Sequence, residues 1–171
     1  MLVAPVPDNE AERLANLYAL LLLDTPPEER FDKIVAFAAQ EFEVPIALIT
    51  LLDSERQWFK AQVGMTACST ARDISFCGHA IMQPDTFVVP DAASDPRFAN
   101  NPLVTGAPHI RFYAGAPLVM PSGHALGTLC VIDTKPRALD HTDLTILAAL
   151  RDLLVKELSG VGENEGENQH G

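Results

Sequence analysis

Basic charge is scarce in this 171-residue chain: twelve lysines and arginines stand against 23 aspartates and glutamates, a formal net charge of −11. Three of those glutamates, Glu163, Glu165 and Glu167, lie in the last twelve residues, which leaves −8 on the remainder. No Lys/Arg cluster interrupts the acidity, so a polyanionic backbone would be repelled, and nucleic acid is excluded as a partner. Cysteine is also sparse. Three is an odd number, which argues against a disulfide framework and for reduced thiols in an intracellular setting. The five histidines (79, 109, 124, 141 and 170) form neither a His-x-x-x-His nor a His-Glu-x-x-His pair, and there is no Cys-x-x-Cys, so no metal site is expected. Covalent haem attachment lacks its Cys-x-x-Cys-His motif. Gly-x-Ser-x-Gly, P-loop and dinucleotide fingerprints are missing as well.

Targeting signals are absent too. The opening MLVAPVPDNE has no positive n-region. Residues 112–132 contain no charged residue until Asp133, and a membrane helix needs about 20 apolar residues. Pro117 and the turn-forming Pro121-Ser122-Gly123-His124 sit inside that stretch, however. Two buried strands joined by a tight turn fit it better than a span. A cytoplasmic protein without a membrane partner is expected.

What remains is one globular domain. The chain is 47% hydrophobic and 20% charged, and its length lets it bury about 70% of its unfolded surface. Residues 8–23 read as a first helix, capped by Asp8, with Leu14, Leu17, Tyr18 and Leu21 on one face. Thr25-Pro26-Pro27-Glu28 reads as a capping box opening a second helix, whose stripe is Phe31, Ile34, Val35, Ala38 and Phe42 and which ends near Glu43. Residues 46–52 and 125–132 are apolar on both sides, as central strands are. Residues 57–63 alternate, with Phe59, Ala61 and Val63 facing one way and Trp58, Lys60 and Gln62 the other. Residues 64–108 are less regular. A short helix from Ser75 to Ile81 and a strand at Phe87-Val88-Val89 stand out, and residues 91–108 read mostly as loop with one helical turn at 95–99. A loop of that length in a compact domain is often functional. Residues 110–119 alternate again. A last helix, capped by Asp140, runs over 142–158 with two apolar faces, one of Leu144, Leu147, Leu154 and Leu158, the other of Ile146, Ala149, Leu150 and Leu153. Residues 1–9 form an extension, 10–159 the domain, and 160–171 an acidic tail too polar to pack, expected to be disordered. Hairpin-length links predict an α+β domain with a mostly antiparallel sheet and helices packed on its faces.

Several of these segments resemble a known family. Leu23-Asp24-Thr25-Pro26-Pro27-Glu28-Glu29-Arg30-Phe31-Asp32, Val44-Pro45-Ile46-Ala47-Leu48-Ile49, Ser75-Phe76-Cys77-Gly78-His79-Ala80-Ile81, Arg111-Phe112-Tyr113-Ala114-Gly115-Ala116-Pro117-Leu118 and Gly127-Thr128-Leu129-Cys130-Val131-Ile132-Asp133 are similar to bacterial GAF domains. The likeness is to a subgroup found upstream of histidine kinases and diguanylate cyclases. It implies a central antiparallel sheet of five or six strands with helices on both faces, and a small-molecule or chromophore pocket on one sheet face under the irregular middle segment. It also implies dimerisation through terminal helices. The 13 residues after Leu158 leave no room for an output domain. A stand-alone sensory module is therefore expected, relaying to a separate signalling protein or through a homodimer.

The expected ligand-binding residues are Trp58, Phe76, Cys77, His79, Asp91, Arg97, Phe98, Arg111 and Tyr113. The aromatics would line or fill the pocket. Arg97 or Arg111 would grip an anionic group, or tie the long loop to the sheet. Cys77 and His79 share the start of a short helix, but side chains two apart diverge, so Cys77 reads foremost as a small buried residue. No cofactor is specified. The alternative functions are a thiol enzyme similar to free methionine-(R)-sulfoxide reductases, using Cys68 and Cys77, and a ligand-free interaction domain. Against the enzyme, Arg72-Asp73-Ile74-Ser75-Phe76 stands where that family has a glycine-rich approach to its second cysteine. No catalytic residue is assigned.

Overall fold

The two runs that are apolar at every position become the centre of the sheet. In the computed structural model, β1 (Ile46–Leu52) and β6 (Ala125–Asp133) lie side by side, antiparallel, and almost wholly buried. β2 (Arg56–Val63) and β3 (Ser69–Ala71) extend the sheet beyond β1, while β5 (Phe112–Val119) and β4 (Phe87–Val89) extend it beyond β6. The order is β3-β2-β1-β6-β5-β4, with antiparallel pairing throughout. The fold is the expected α+β sheet of six strands with helices on both faces. The backbone is described for residues 1–170 and side chains for residues 1–160. The tail expected to be disordered over 160–171 lies, beyond residue 160, outside the residues described in full.

Helices α2 (Glu29–Phe42) and α5 (His141–His170) cover one face. Phe31, Ile34, Val35, Ala38 and Phe42 meet Leu147, Leu154 and Leu158 over alternate residues of the strands, among them Ala47, Ile49, Phe112, Ala114 and Val131. Asp140 and Asp143 close the start of α5 reciprocally. The Asp143 amide donates to Asp140 Oδ1 at 2.8 Å and the Asp140 amide to Asp143 Oδ2 at 3.1 Å. Of the two apolar faces read on α5, Leu147, Leu154 and Leu158 are buried, Ile146 and Leu150 pack partly, and Leu153 stays 51% exposed. Among the described residues no helix is long and apolar enough to cross a membrane.

Five local readings need correction. The first helix, α1 (Glu10–Ala19), ends four residues early, and Asn9 rather than Asp8 precedes it without a side-chain cap. Leu21 and Asp24 adopt positive φ, 56° and 62°, and turn the chain so that Asp24 meets the Arg56 guanidinium in two 2.8 Å bonds. Thr25 does not cap α2. Its hydroxyl donates to the Leu22 carbonyl and accepts from Lys60 Nζ at 2.7 Å. Because Pro26 and Pro27 disfavour helical backbone in the residue before each of them, the helix begins only after Glu28. The alternation in β2 breaks at Lys60. Ile49 pairs with Ala61 and Thr50 with Phe59, so Lys60 is the extra residue of a bulge. Trp58 and Ala61 therefore share the helix-covered face, while Phe59 turns to the other. Ile110 precedes β5 and packs on that second face too. The middle segment holds more structure than expected: β3, a 3-10 turn (Arg72–Ile74) and α4 (Pro102–Thr105). An Asn-Pro pair writes the last of these, since Asn101 Oδ1 accepts the Leu103 amide at 2.9 Å with Pro102 in the first turn.

Candidate functional site: the roofed face of the sheet

The second sheet face is covered by chain that is mostly irregular. Its floor is Ile46 and Leu48 of β1, Phe59 of β2, Tyr113 of β5, and Cys130 and Ile132 of β6. Its roof is α3 (Phe76–Ala80), α4 and the loop carrying Phe98. Ser75 caps α3 by accepting the Gly78 amide at 3.1 Å, as a helix start at that serine predicts. Polar ties hold the roof down. Asn101 Nδ2 donates to the Ile74 carbonyl at 2.9 Å, and Arg111 Nη1 donates to the Val104 and Ile110 carbonyls, both at 3.0 Å.

The structure brings together four of the nine expected residues. Phe76 and Phe98 stack at 4.1 Å between centroids and 9° between planes, Tyr113 lies 5.1 Å from Phe76, and His79 meets Phe98 edge-on at 4.8 Å. Tyr113 can lie back along its own strand because residue 115 is glycine: a Cβ there would sit 2.2 Å from the phenol oxygen. These rings fill most of the layer. What remains is a cavity of about 20 Å³ bordered by Gln57, Thr70, Phe76, Leu103, Tyr113 and Cys130. That is room for one water, against the roughly 300 Å³ or more of a metabolite site. Gln57 and Thr70, the polar border, are bonded to each other at 2.9 Å. Sequence reasoning missed both; Gln57 carries the signal of a polar residue in an alternating strand.

Of these four only Phe76 and Tyr113 border the cavity, and the other five expected residues lie apart from the cluster. Trp58 is on the opposite sheet face, put there by the pleat of β2, which the bulge keeps in phase with Ala61. Asp91 belongs to an exposed turn, accepting from the Ala93 amide and the Ser94 hydroxyl. Arg97 spends its charge on Asp95, with bonds of 3.0 and 2.7 Å, and lies over the Phe87 and Phe98 rings from outside. That hydrogen bond holds the Asp95 carboxyl below its ordinary range. Arg111 is a roof tie. Cys77 points to the floor, where its sulfur accepts from Thr50 Oγ1 at 2.9 Å. Burial pushes both the Cys77 and the Cys130 thiols up. Cys68 is exposed on the approach to β3. The pair needed for thiol exchange is thus divided between surface and interior. Burial lowers His79, whose Nε2–H donates to the Leu2 carbonyl at 3.3 Å.

Beside the roof lies a charge cluster that no periodicity announces. Arg13 of α1 is 1% exposed and Arg72 of the 3-10 turn 3% exposed, and Glu10 sits between them. Arg13 also donates to the Leu52 carbonyl at 2.7 Å and Arg72 to the Asp53 carbonyl at 3.1 Å. Burial opposes ionisation of Glu10, but the two guanidinium bonds outweigh it and bring the carboxyl down to about 2.

A six-stranded antiparallel sheet with two long helices on one face and a small pocket under a roof of short helices and loops on the other defines a class of α+β pocket domains. The GAF domain family model matches residues 26–158, and the chain belongs to the GAF domain family. A cyclic di-GMP phosphodiesterase of Pseudomonas aeruginosa is 45% identical over 159 residues, which are 92% of this chain and 27% of that protein. The chain thus spans about a quarter of that relative's length. Among solved structures, the free methionine-R-sulfoxide reductase of Neisseria meningitidis, in complex with its substrate, superposes with a TM-score of 0.66 at 20% identity, covering 96% of this chain and 98% of that one. The GAF domain of the Acinetobacter phosphoenolpyruvate-protein phosphotransferase gives 0.64 at 17% identity, with 94% and 99% covered. At such identities the likeness is one of fold.

Proposed function

We propose that this chain is a non-catalytic sensory module of a cytoplasmic signalling system, working as a homodimer and relaying to a signalling output. Its ligand would be a small, largely apolar molecule with one polar group, taken up between the sheet and the roof. The observation that carries this reading is the roofed cavity: apolar rings around a polar border, closed by a segment held through a handful of polar ties. The cavity is about 20 Å³, so a ligand must lift Phe76 or Leu103 to enter. Binding is then coupled to α3, and through Arg72 and Glu10 to α1. A molecule that binds only the lifted arrangement shifts the balance between the two, as a sensor requires. The likeness to a segment of a cyclic di-GMP phosphodiesterase supports a signalling setting, with cyclic-dinucleotide turnover as the output. Burial of Cys77 and Cys130 disfavours their thiolates, the nucleophilic form, and supports a non-catalytic reading. Exposed Tyr18, Leu21 and Leu153 offer the terminal elements an apolar contact surface.

Native mass spectrometry of the purified protein, with thermal-shift screening of a metabolite set, tests this. A dimer carrying a bound small molecule, or a raised midpoint with a defined metabolite, is the expected result. A monomer that no compound stabilises would favour a ligand-free interaction domain. Reduction of free methionine sulfoxide that disappears in Cys77→Ser would replace the proposal with the enzyme.

A further inference from the structure

Residues 1–7, read from sequence only as an extension, lie across the outside of the roof. The Leu2 amide donates to the Arg97 carbonyl at 3.0 Å and the Ala4 amide to the Asp73 carbonyl at 3.2 Å. His79 Nε2 holds the Leu2 carbonyl from below. Alternate backbone groups thus face the protein, as in an extended strand. One side chain goes with them. Ala4 is 4% exposed and rests on Gly78 of α3, where a Cβ would come within 2.6 Å of the Ala4 methyl. The remaining apolar side chains point outward: Met1, Leu2, Val3 and Val6 are 45–60% exposed. The segment therefore touches two parts of the roof, the Arg72–Ala80 stretch and the Phe98 loop. It does so through three hydrogen bonds and a single methyl, and it runs directly into α1, where Glu10 receives Arg72.

We infer that residues 1–7 form a releasable strap that clamps the pocket roof shut and couples its opening to α1. The inference rests on the reading of this face as a ligand pocket, but the strap can be probed without any ligand. While it is docked, α3 and the Phe98 loop are bridged and cannot separate from the floor independently. Once it is displaced, both are held only by their own ties, and Cys77 on the underside of α3 becomes reachable. Pro5 and Pro7 narrow the conformations open to the free segment, so redocking orders fewer degrees of freedom.

Two full-chain variants test the strap. Leu2→Pro removes the amide donor to Arg97 at a side chain that is 53% exposed, so the core is untouched. Ala4→Glu places a long charged side chain where only a methyl fits. Hydrogen–deuterium exchange is followed over residues 72–81 and 95–105, with β1 and β6 as internal reference, and iodoacetamide alkylation is followed at Cys77 against Cys130. The expected result is exchange at least tenfold faster in both roof stretches for Ala4→Glu and several-fold faster for Leu2→Pro. Cys77 alkylation should accelerate in parallel, with the central strands and Cys130 unchanged. Roof exchange and Cys77 labelling at wild-type rates in both variants would overturn the strap. So would equal acceleration of roof and sheet in Leu2→Pro. Failure to find a ligand would remove the pocket reading and leave these readouts intact; a ligand with an inert strap would do the reverse.

Discussion

The two faces of the sheet are closed by different means. On one, α2 and α5 lay down stripes at helical spacing, and Phe31, Val35, Ala38, Leu147 and Leu154 are at most 1% exposed. That cover needs few side-chain hydrogen bonds because regular helices satisfy their own backbones. On the other, α3, α4 and the loops between them leave backbone groups that Asn101, Arg111, Ser75 and Asp91 must satisfy one at a time. A cover assembled from individual polar ties can be loosened locally, whereas a helix pair comes off as a unit. The adaptable face is the one with the residual cavity and the buried aromatic stack.

The largest expected effect lies on the helical face. Phe31→Ala should lower unfolding free energy by about 3–5 kcal/mol in urea denaturation, since a fully buried phenyl is lost from the face that the rigid helix α2 turns to the sheet. Next comes the charge cluster joining α1 to the roof. Glu10→Gln leaves two buried guanidinium groups without their carboxylate and should cost about 3 kcal/mol. Its pH dependence sharpens the point. The folded carboxyl titrates near 2, below its unfolded value of 4.5. Its contribution is therefore complete above about pH 4.5 and fades as pH falls towards 2. Wild type and Glu10→Gln should converge in stability across that window. If the gap is unchanged at pH 2.5, the cluster is not what stabilises the α1 junction.

Phe98→Ala, equally buried but on the roofed face, should cost less than Phe31→Ala, about 2 kcal/mol, because an irregular cover can settle into the space. It should also take up indole, seen as a rise in thermal midpoint that wild type does not show. Equal costs for the two phenylalanines would erase the distinction between the faces. The smallest effect concerns the thiols. Ellman's reagent should modify one of the three cysteines in the native protein within minutes, and Cys68→Ser should abolish that phase with a stability change under about 0.5 kcal/mol.

Much of the fold was legible because it is periodic. The α2 stripe, the doubly apolar β1 and β6, the short helix beginning at Ser75 and the Asp140 cap each follow from spacing within a few residues. Site residues were legible as a set of aromatics but not as a place. Phe76, Phe98 and Tyr113 do converge, while Trp58 was assigned to the pocket although one residue of pleat decides which face it takes. Asp91, Arg97 and Arg111 were legible as loop ties or ligand grips, and geometry favours ties, because each already has protein partners. The burial of Arg13 and Arg72 was not legible, since it depends on partners distant in sequence: 62 residues separate Glu10 from Arg72, and Arg13, one helical turn from Glu10, is held inside by the Leu52 carbonyl 39 residues on.

The sequence by itself determined the family, the long helix α2 and the central strands β1 and β6 with their buried faces, because hydrophobic spacing and turn chemistry act over a few residues and leave their period in the chain. Tertiary structure alone decided that the pocket is nearly full, that α1 is locked to the roof by a buried charge cluster, and that the first seven residues lie over α3. Those outcomes depend on packing volume and on charges meeting across long separations, which no local pattern records.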